Sequence, residues 1–439
     1  MLRVQLSELQ DLQRFARDRD VETCASGLIS RAGARDGQQV LVVRELREVP
    51  SDAYSDRSHV SASLKPSFCT HLANAAKKTK SGILLAHTHV GPQALQGFSS
   101  TDDRGEIPLK SYFEGRLPGK PLLASVVTAD SFHFRNLGAE PVESVTLVGR
   151  DLITSVPCRH PIGETYERQV RAFGQDGQAR LSALTIAIVG LGGTGSVVAQ
   201  QLAHLGVRRF VLIDPDLVET TNLSRLVGAN HSEIGEPKVE TAARQIKQIN
   251  PEAQCASVRG DIVDQSVAAE VISADFIFCC TDSMASRAVL NQIAYQYFIP
   301  CVDMGVGIGA RDGDVEYIAG RVQMLSPGLP CLVCTGKLDY EQVRREMLTE
   351  EQRKADPYVS GAVVHQPAVI SLNSTVSSAA VTMFLSAVAG IPSAARMLNY
   401  DGKLGTMKAV SMVPRSGCIA CSQALGQGDG WDLPIRRWR

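Results

Sequence analysis

The segment from 184 to 196 constrains the fold of this chain most, because an apolar run passes directly into a glycine-rich turn and then into a helical pattern. Residues 184–189 are almost all apolar, which is typical of a strand buried on both faces of a sheet. A helix is predicted over 196–205. This order favours a parallel sheet with a ligand site at the turn, which contains Gly190, Gly192, Gly193 and Gly195.

The remainder of the C-terminal half continues the alternation of strands and helices. The patterns predict strands at 209–213, 256–258 and 276–279, and helices between them at 238–249 and 267–272. Such alternation indicates an α/β fold with a mostly parallel, Rossmann-like sheet. We expect an apolar helix at 377–389, closing strands at 397–400 and 406–410, and a mobile, charged crossover at 335–356.

The first 150 residues have a different pattern, in which short helices and strands are mixed, and an α+β domain is expected there. We predict helices at 7–19 and 66–80, and strands at 39–43, 83–86, 122–134 and 145–148. The predicted organisation is an N-terminal domain (1–150), a linker (151–165), a nucleotide-binding domain (166–424) and a disordered tail (425–439), with a docking strip as the alternative for the tail.

Composition excludes several classes of function. The chain has 45 Lys+Arg against 46 Asp+Glu, a formal net charge of −1, which argues against a nucleic-acid or anionic-membrane partner. No apolar run approaches the roughly 18–20 residues that span a bilayer. The first 20 residues are charged and do not resemble a secretory signal, so a cytoplasmic protein is expected.

The glycine turn has the composition of a nucleotide site. Gly190 permits a tight turn, Gly192 and Gly193 let backbone amides approach an oxyanion, and Gly195 allows close packing of helix on strand. Asp214 ends the next strand, 19 residues beyond Gly195, where a carboxylate can accept from ribose hydroxyls. The spacing therefore predicts a bound nucleotide, with NAD and ATP as the alternatives.

The residues after Asp214 favour ATP with Mg²⁺ over NAD. Asn222, Arg225 and Lys238 follow within 25 residues, and the pair Asp282–Ser283 ends a further strand. Two cations neutralise phosphoryl oxygens and a carboxylate holds a metal, which suits a magnesium triphosphate. A dehydrogenase needs no such cationic clamp.

These motifs together resemble the ThiF/MoeB/ubiquitin-activating superfamily over residues 166–421. The resemblance is carried by Tyr166-Glu167-Arg168-Gln169, the glycine turn, the run from Asp214 to Arg225, Gly235-x-Pro237-Lys238 and Cys280-Thr281-Asp282. It implies adenylation of the C-terminal glycine carboxylate of a ubiquitin-like or sulfur-carrier protein. It also implies that a separate conjugating enzyme or sulfurtransferase receives the product.

The same resemblance implies roles for single residues. Asp214 would hold the ribose, Asp282 would serve Mg²⁺, and Arg168 would reach phosphate from the other subunit of a homodimer. ATP contacts would come from Gly193, Asn222, Arg225 and Lys238. Many members of the superfamily carry a cysteine nucleophile in or after the crossover, where this chain has Tyr358 to Gly361 and no cysteine. We therefore predict adenylation without a thioester on this chain.

Four of the eleven cysteines form two CxxC pairs, which predict a structural Zn²⁺. The pairs are Cys331/Cys334 and Cys418/Cys421. Paired CxxC in a chain expected to be cytoplasmic indicates metal or redox chemistry rather than a disulfide framework. Four thiolates close a tetrahedral shell, which leaves no open position for catalysis.

A second metal site is predicted in the N-terminal domain. His87 and His89 alternate along a strand and point the same way, and Ser99 and Asp102 follow after a loop. Two histidines, an aspartate and water make an open catalytic zinc shell. Ser100 with Asp103 is the competing register.

This pattern resembles the JAMM/MPN family of metal-dependent isopeptidases over residues 1–150. The resemblance implies that His87, His89 and Asp102 bind a catalytic zinc and that Ser99 stabilises the oxyanion. Glu22 resembles the upstream glutamate that acts as general acid/base, and Glu45 and Glu48 are the alternatives for that role.

The two halves together predict a multifunctional enzyme of a bacterial ubiquitin-like modification system, which processes or deconjugates a ubiquitin-like protein and adenylates its C-terminus. The first alternative is trimming and activation of a sulfur-carrier protein for thiocarboxylate biosynthesis. A nucleotide-binding interaction module without turnover, and an NAD oxidoreductase, are the alternatives from other classes.

Overall fold

The computed structural model describes residues 1–35, 37–91, 94–154, 162–311, 314–349, 352 and 367–436. Two eight-stranded sheets organise these residues, one in each half of the chain. The protein is therefore a mixed α/β protein with two large sheets that both contain parallel strands. The predicted motif at 358–361 and the middle of the predicted linker, residues 155–161, lie outside the described residues, while residues 152–154 of that linker form strand β10.

The N-terminal sheet has the strand order β10-β9-β1-β3-β2-β6-β7-β8. Its strands are β1 (Leu2–Gln5), β2 (Cys24–Arg35), β3 (Gln38–Glu48), β6 (Gly82–Thr88), β7 (Leu122–Val127), β8 (Phe132–Asn136), β9 (Val145–Val148) and β10 (Leu152–Thr154). A separate hairpin joins β4 (Tyr54–Arg57) to β5 (Ala62–Leu64). Three helices accompany this sheet: α1 (Leu6–Asp18), α2 (Pro66–Lys78) and α3 (Ser100–Arg116).

The C-terminal sheet has the order β13-β12-β11-β14-β15-β16-β17-β18. Its strands are β11 (Thr185–Val189), β12 (Arg209–Ile213), β13 (Gln254–Val258), β14 (Phe276–Cys279), β15 (Cys301–Arg311), β16 (Asp314–Leu325), β17 (Met397–Asp401) and β18 (Thr406–Ala409). The first five strands in this order run parallel and the last three antiparallel. The predicted Rossmann-like order of strands and helices is confirmed.

Seven helices accompany this sheet among the residues that the structure describes. They are α4 (Glu167–Ala183), α5 (Gly193–His204), α6 (Lys238–Ile249), α7 (Gln265–Ile272), α8 (Met284–Gln296), α9 (Tyr340–Glu346) and α10 (Ile370–Val388). Helix α10 is longer than predicted. By length and composition alone it is the one described helix that qualifies as a membrane span, yet 56% of that stretch is buried inside the protein. It packs against α5 and β15, as a core helix does.

One hydrophobic cluster spans both sheets, while the N-terminal half has further clusters of its own. Val40 and Val42 of β3 belong to the same buried cluster as Ile186 of β11. Arg3 of β1 is only 1% exposed, and its guanidinium donates to backbone carbonyls of the other half at 2.8–3.3 Å, those of Tyr297, Ala274 and Ile272. The buried guanidinium of Arg3 thus ties the two halves together at this contact.

The segment 425–436 is docked, so the prediction of a disordered tail is wrong for these residues. The Gly33 amide of β2 donates to the Asp429 carboxylate at 3.1 Å. The Gln296 side chain of α8 donates to the carbonyls of Gly428 and Trp431 at 2.7 and 2.6 Å. The segment therefore crosses from one half to the other, as the docking-strip alternative requires, and residues 437–439 lie outside the described part.

Candidate functional site

The glycine turn joins β11 to α5 at the carboxyl edge of the parallel strands. Gly190 has a φ of +88°, a conformation that L side chains rarely adopt. A Cβ there would lie 2.8 Å from the Cys280 carbonyl oxygen at the end of β14. A Cβ at Gly195 would overlap the Gly190 carbonyl oxygen, whereas one at Gly192 would meet no described atom within 4 Å. The turn is therefore closed towards the sheet and open on the side of Gly192.

Asp214 fastens the next strand to this turn. Its carboxylate accepts from the Leu191 amide at 2.6 Å and from the Asp216 amide at 2.9 Å. The residue is 4% exposed, and burial raises the pKa of its carboxyl. Asp214 thus has a structural role at the turn in addition to the ribose contact predicted from the sequence, which stays a prediction.

Both predicted cations lie beside the turn. Lys238 begins α6, and its ammonium nitrogen is 2.7 Å from the Asp216 carboxylate and 3.9 Å from that of Asp214. The Arg225 Cδ atom is 3.4 Å from the position that a Cβ on Gly193 would take. The Arg225 guanidinium donates to the Thr221 carbonyl at 2.8 Å. The aliphatic part of Arg225 therefore lies beside Gly193, and contact of either cation with phosphate stays a prediction.

Asn222 is buried beside these cations and caps its own short helix. Its side-chain oxygen accepts from the Glu219 amide at 3.2 Å, and the residue is 7% exposed. This contact accounts for the side-chain oxygen, so the predicted ATP contact of Asn222 stays a prediction.

Asn373 was missed by the sequence analysis. It is 6% exposed on α10, and its side-chain amide is the nearest group to the position of a Cβ on Gly193. Four residues later, the Ser377 hydroxyl donates to the Thr194 carbonyl at 3.1 Å. The helix also contains several other serine and threonine residues, so the sequence contains no distinct signal for Asn373.

Asp282 and Ser283 follow β14 at the same edge of the sheet. Asp282 is exposed and lies two residues after Cys280, whose carbonyl borders Gly190. Ser283 caps α8, because its hydroxyl accepts from the Ser286 amide at 3.1 Å. The structure thus places Asp282 at the predicted edge, and metal binding by this carboxylate stays a prediction.

Arg168 lies far from the glycine turn of its own chain. It is exposed on the first turn of α4, where the neighbouring Gln169 side chain donates to the His204 carbonyl at 3.0 Å. His204 is the last residue of α5, and the glycine turn lies at the opposite end of that helix. The 12 residues of α5 span about 18 Å. The predicted contact of Arg168 with phosphate from the other subunit of a homodimer stays a prediction.

The four predicted cysteine ligands converge in the structure. Cys331, Cys334, Cys418 and Cys421 are all buried, and their sulfurs lie within 4.8 Å of one another. Three of the sulfur–sulfur distances are 3.5–3.6 Å. Ligands at about 2.3 Å from a tetrahedral Zn²⁺ are about 3.8 Å apart, whereas disulfide sulfurs are about 2.0 Å apart. A hydrogen bond from Cys421 lowers the pKa of the Cys331 thiol, and the Arg415 amide donates to the Cys334 sulfur at 3.2 Å. The cluster fits Zn²⁺.

Replacing Cys418 with serine is expected to remove one zinc per chain and to lower the melting temperature by several degrees. The reason is that Cys418 connects the docked segment 425–436 to the body of the protein through the cysteine cluster. Zinc analysis and a thermal melt test this, with Cys255→Ser as control because Cys255 lies outside the cluster. An unchanged zinc content would contradict the assignment.

The three predicted ligands of the N-terminal site also converge. The Nε2 atoms of His87 and His89 are 3.2 Å apart and lie 3.0 and 3.4 Å from the Asp102 carboxylate oxygens. Ligands at about 2.05 Å from a tetrahedral zinc are about 3.3 Å apart. Burial raises the pKa of Asp102, but hydrogen bonds with both histidines lower it well below its usual range. The donor set fits a zinc with an open position.

Backbone groups hold these ligands in place. The Asp102 carboxylate accepts from the Ser99 amide at 2.6 Å, and the Asp102 amide donates to the Ser99 hydroxyl at 3.2 Å, a capping box at the start of α3. The Leu95 carbonyl is 2.9 Å from His89 Nδ1. A carbonyl only accepts, so Nδ1 carries the proton and Nε2 presents its lone pair to a metal.

Glu22 is the upstream acid that the structure brings near this site. It is 6% exposed; burial raises the pKa of its carboxyl, and the charges of His87 and His89 lower it. The alternatives face elsewhere: Glu48 pairs with Arg19, and Glu45 with Arg44 and Arg47. Asp103 pairs with Arg135 at 2.7 Å, so the register with Asp102 is the one that meets the histidines.

The fold and the glycine turn define a Rossmann-like nucleotide-binding protein. Its second sheet is accompanied by a cluster that could hold a metal ion, formed by His87, His89 and Asp102. Residues 166–420, more than half of the chain, match the ThiF family. The chain belongs to the ThiF family.

Similar proteins agree with this membership. The molybdopterin-synthase adenylyltransferase of Escherichia coli K12 is 29% identical over 262 residues, 59% of this chain and 96% of the relative. The sulfur carrier protein ThiS adenylyltransferase of the same strain is 27% identical over 260 residues, with 58% and 94% covered. The SAMP-activating enzyme E1 of Haloferax volcanii is 31% identical over 161 residues, with 37% and 56% covered. The matches to the two Escherichia coli enzymes span nearly their whole length.

Proposed function

We propose that this protein is an ATP-dependent adenylyltransferase that activates the C-terminal glycine carboxylate of a ubiquitin-like protein. The observation that carries the proposal is the gathering of Arg225 and Lys238 at an open glycine turn, beside the edge from which Asp282 projects. Membership of the ThiF family and relatives named as adenylyltransferases support it.

The reaction forms a bond between a carboxylate oxygen of the partner and the α-phosphorus of ATP, while the bond from that phosphorus to the pyrophosphate oxygen breaks. The carboxylate is already ionised at neutral pH, so the protein supplies no base. Arg225 and Lys238 neutralise negative charge on the phosphoryl oxygens, and the ion pair with Asp216 holds the Lys238 ammonium in place. Positioning and charge neutralisation are therefore the protein's share of the chemistry.

Mg²⁺ fits this site because it binds through one or two carboxylates and the phosphates of its nucleotide. Asp282 would supply that carboxylate, and the bound ion would add positive charge at the phosphates. Asp214 would accept from the ribose while keeping its hydrogen bond from the Leu191 amide.

ATP–pyrophosphate exchange tests the activity. We expect exchange only in the presence of a small protein with an exposed C-terminal glycine, and no exchange when that glycine is deleted. Binding of ATP without exchange would indicate an interaction module, and preferential binding of a nicotinamide cofactor would indicate an oxidoreductase. Proteins captured as AMP adducts from cells and identified by mass spectrometry would name the partner.

The fate of the activated carboxylate separates two candidate systems. Relatives named for molybdopterin synthase and for ThiS favour a sulfur-carrier partner, and a sulfurtransferase would then receive the adenylate. In a modification system a conjugating enzyme would receive it instead. The convergence of His87, His89 and Asp102 is compatible with both systems, because a peptidase could trim a carrier or release a conjugate. A thiocarboxylate on the partner indicates the first system, and an isopeptide bond to a lysine indicates the second.

We propose that the N-terminal domain is a zinc-dependent peptidase or isopeptidase that acts on the same partner. A bound zinc would supply Lewis acidity at the scissile carbonyl and acidify a water molecule. Glu22 would take the water proton and return it to the leaving amine. The Ser99 hydroxyl oxygen accepts its capping hydrogen bond from the Asp102 amide, so its proton stays available. The hydroxyl would therefore donate a hydrogen bond to the developing oxyanion.

Arg168 supports a further prediction, that a homodimer shares its nucleotide sites. Arg168→Ala and Asp282→Asn should each abolish exchange, and an equimolar mixture of the two should recover about a quarter of the wild-type rate. Half of the randomly mixed dimers combine the two variants, and each of these has one intact site because the second chain supplies its arginine. If the mixture stays as inactive as the two separate variants after their subunits have exchanged, Arg168 does not act in the nucleotide site of the other subunit.

A further inference from the structure

The loop between β14 and α8 is held by hydrogen bonds to a carboxylate on another helix. Glu346 ends α9, and one of its carboxylate oxygens accepts from the Ser283 hydroxyl at 2.7 Å and from the Ala285 amide at 2.8 Å. The other oxygen accepts from the Gln342 side chain at 2.7 Å. Glu346 is half-buried, and its two contacts with α8 are partly shielded from water.

These contacts complete the cap of α8. The Ser283 hydroxyl accepts from the Ser286 amide, while the Glu346 carboxylate takes the Ala285 amide, so two free amides of the first turn are satisfied. A carboxylate at a helix N-terminus is also stabilised by the helix dipole. The position of Ser283, and of Asp282 directly before it, therefore depends on a residue more than sixty positions away.

Helix α9 is itself attached to the cysteine cluster. It begins six residues after Cys334, and the Leu332 amide between the paired cysteines donates to Asn291 of α8 at 2.8 Å. Asn291 is 1% exposed. The cluster and Glu346 thus hold α8 at two points, its middle and its first turn.

We propose that Glu346 is a positioning residue for magnesium-dependent adenylation, acting through the Ser283 hydroxyl and the first turn of α8 to aim the Asp282 carboxylate at the nucleotide. The inference deepens the proposed adenylyltransferase function and rests on it. Glu346 touches neither substrate nor metal in this scheme. Removing its carboxylate frees the loop that carries Asp282, and the affinity of the nucleotide complex for the metal ion falls.

Mn²⁺ binding, measured by electron paramagnetic resonance in the presence of a non-hydrolysable ATP analogue, tests this directly. We expect Glu346→Ala to weaken Mn²⁺ binding about tenfold, the range found when an outer partner of a metal ligand is lost. Glu346→Gln keeps an acceptor oxygen and should restore most of the affinity. The matched control is Glu341→Ala, on the same helix, where the carboxylate pairs on the surface with Arg344 and Arg345 among the described residues.

A double-mutant cycle distinguishes a local effect on this loop from a general loss of folding. Ser283→Ala removes the donor to the same carboxylate, so its effect and that of Glu346→Ala should overlap rather than multiply. Multiplying effects, or equal Mn²⁺ affinities in Glu346→Ala and Glu341→Ala, would overturn the proposal. Absence of exchange in the wild-type protein with any glycine-ended partner would instead refute the adenylation function, so the two failures are distinguishable.

Discussion

Replacing Asp282 with asparagine is expected to reduce partner-dependent ATP–pyrophosphate exchange by about a hundredfold to a thousandfold, while peptide cleavage stays at the wild-type rate. The substitution keeps the size of the side chain and removes the charge that would hold Mg²⁺ at the phosphates. Asp282 is exposed at the end of β14, so the fold should tolerate the change.

The matched control is Asp11→Asn, because Asp11 lies on the surface of α1 in an exposed pair with Arg14. Both variants should melt at the wild-type temperature. A rise in the Mg²⁺ concentration needed for half-maximal exchange would locate the defect at the metal. Equal loss of exchange and cleavage would mean that the two activities do not belong to separate sites.

Replacing His89 with alanine is expected to remove one of two zinc ions per chain and to abolish cleavage, while exchange continues. His89 is 7% exposed and meets both His87 and Asp102, so two ligands remain in the variant and cannot complete the shell. Loss of an essential zinc ligand should lower the cleavage rate by at least about a thousandfold.

His71→Ala is the control for this variant, because His71 is exposed on α2 and lies outside the cluster. Zinc content is read by metal analysis of purified protein, and cleavage with a peptide that extends beyond the partner's terminal glycine. A wild-type protein with a single zinc per chain would show that one of the two metal assignments is wrong.

The parallel half of the fold was predictable because its strands are short, apolar and separated by amphipathic helices. The observed bounds of β12 and α6 match the predicted ones, and those of β14 agree as well. Burial on both faces imposes a continuous apolar run, which needs no knowledge of the neighbouring strands. The glycines and Asp214 were found for the same reason, since they lie directly after such a run, whereas the cations Arg225 and Lys238 were found from their order after Asp214.

The missed elements depend on distant partners. β2 (Cys24–Arg35) contains two glycines and four charged or hydroxyl residues, and it is held as a strand by β3 and β6 on either side. Three glycines alternate along β15, where Tyr317 of β16 covers one of them. Asn373 and Glu346 reach the nucleotide edge from helices that lie beyond it in the chain. Local periodicity contains none of these relations.

The common packing of the two sheets has a consequence for how such a chain can change over evolutionary time. Val40, Val42 and the buried Arg3 find their neighbours in the opposite half, so neither half is finished without the other. A descendant that lost His87, His89 or Glu22 would still require the first sheet as scaffolding. Versions of this chain that lack the metal ligands are therefore expected to keep the β-strands of the first sheet after the ligands have gone.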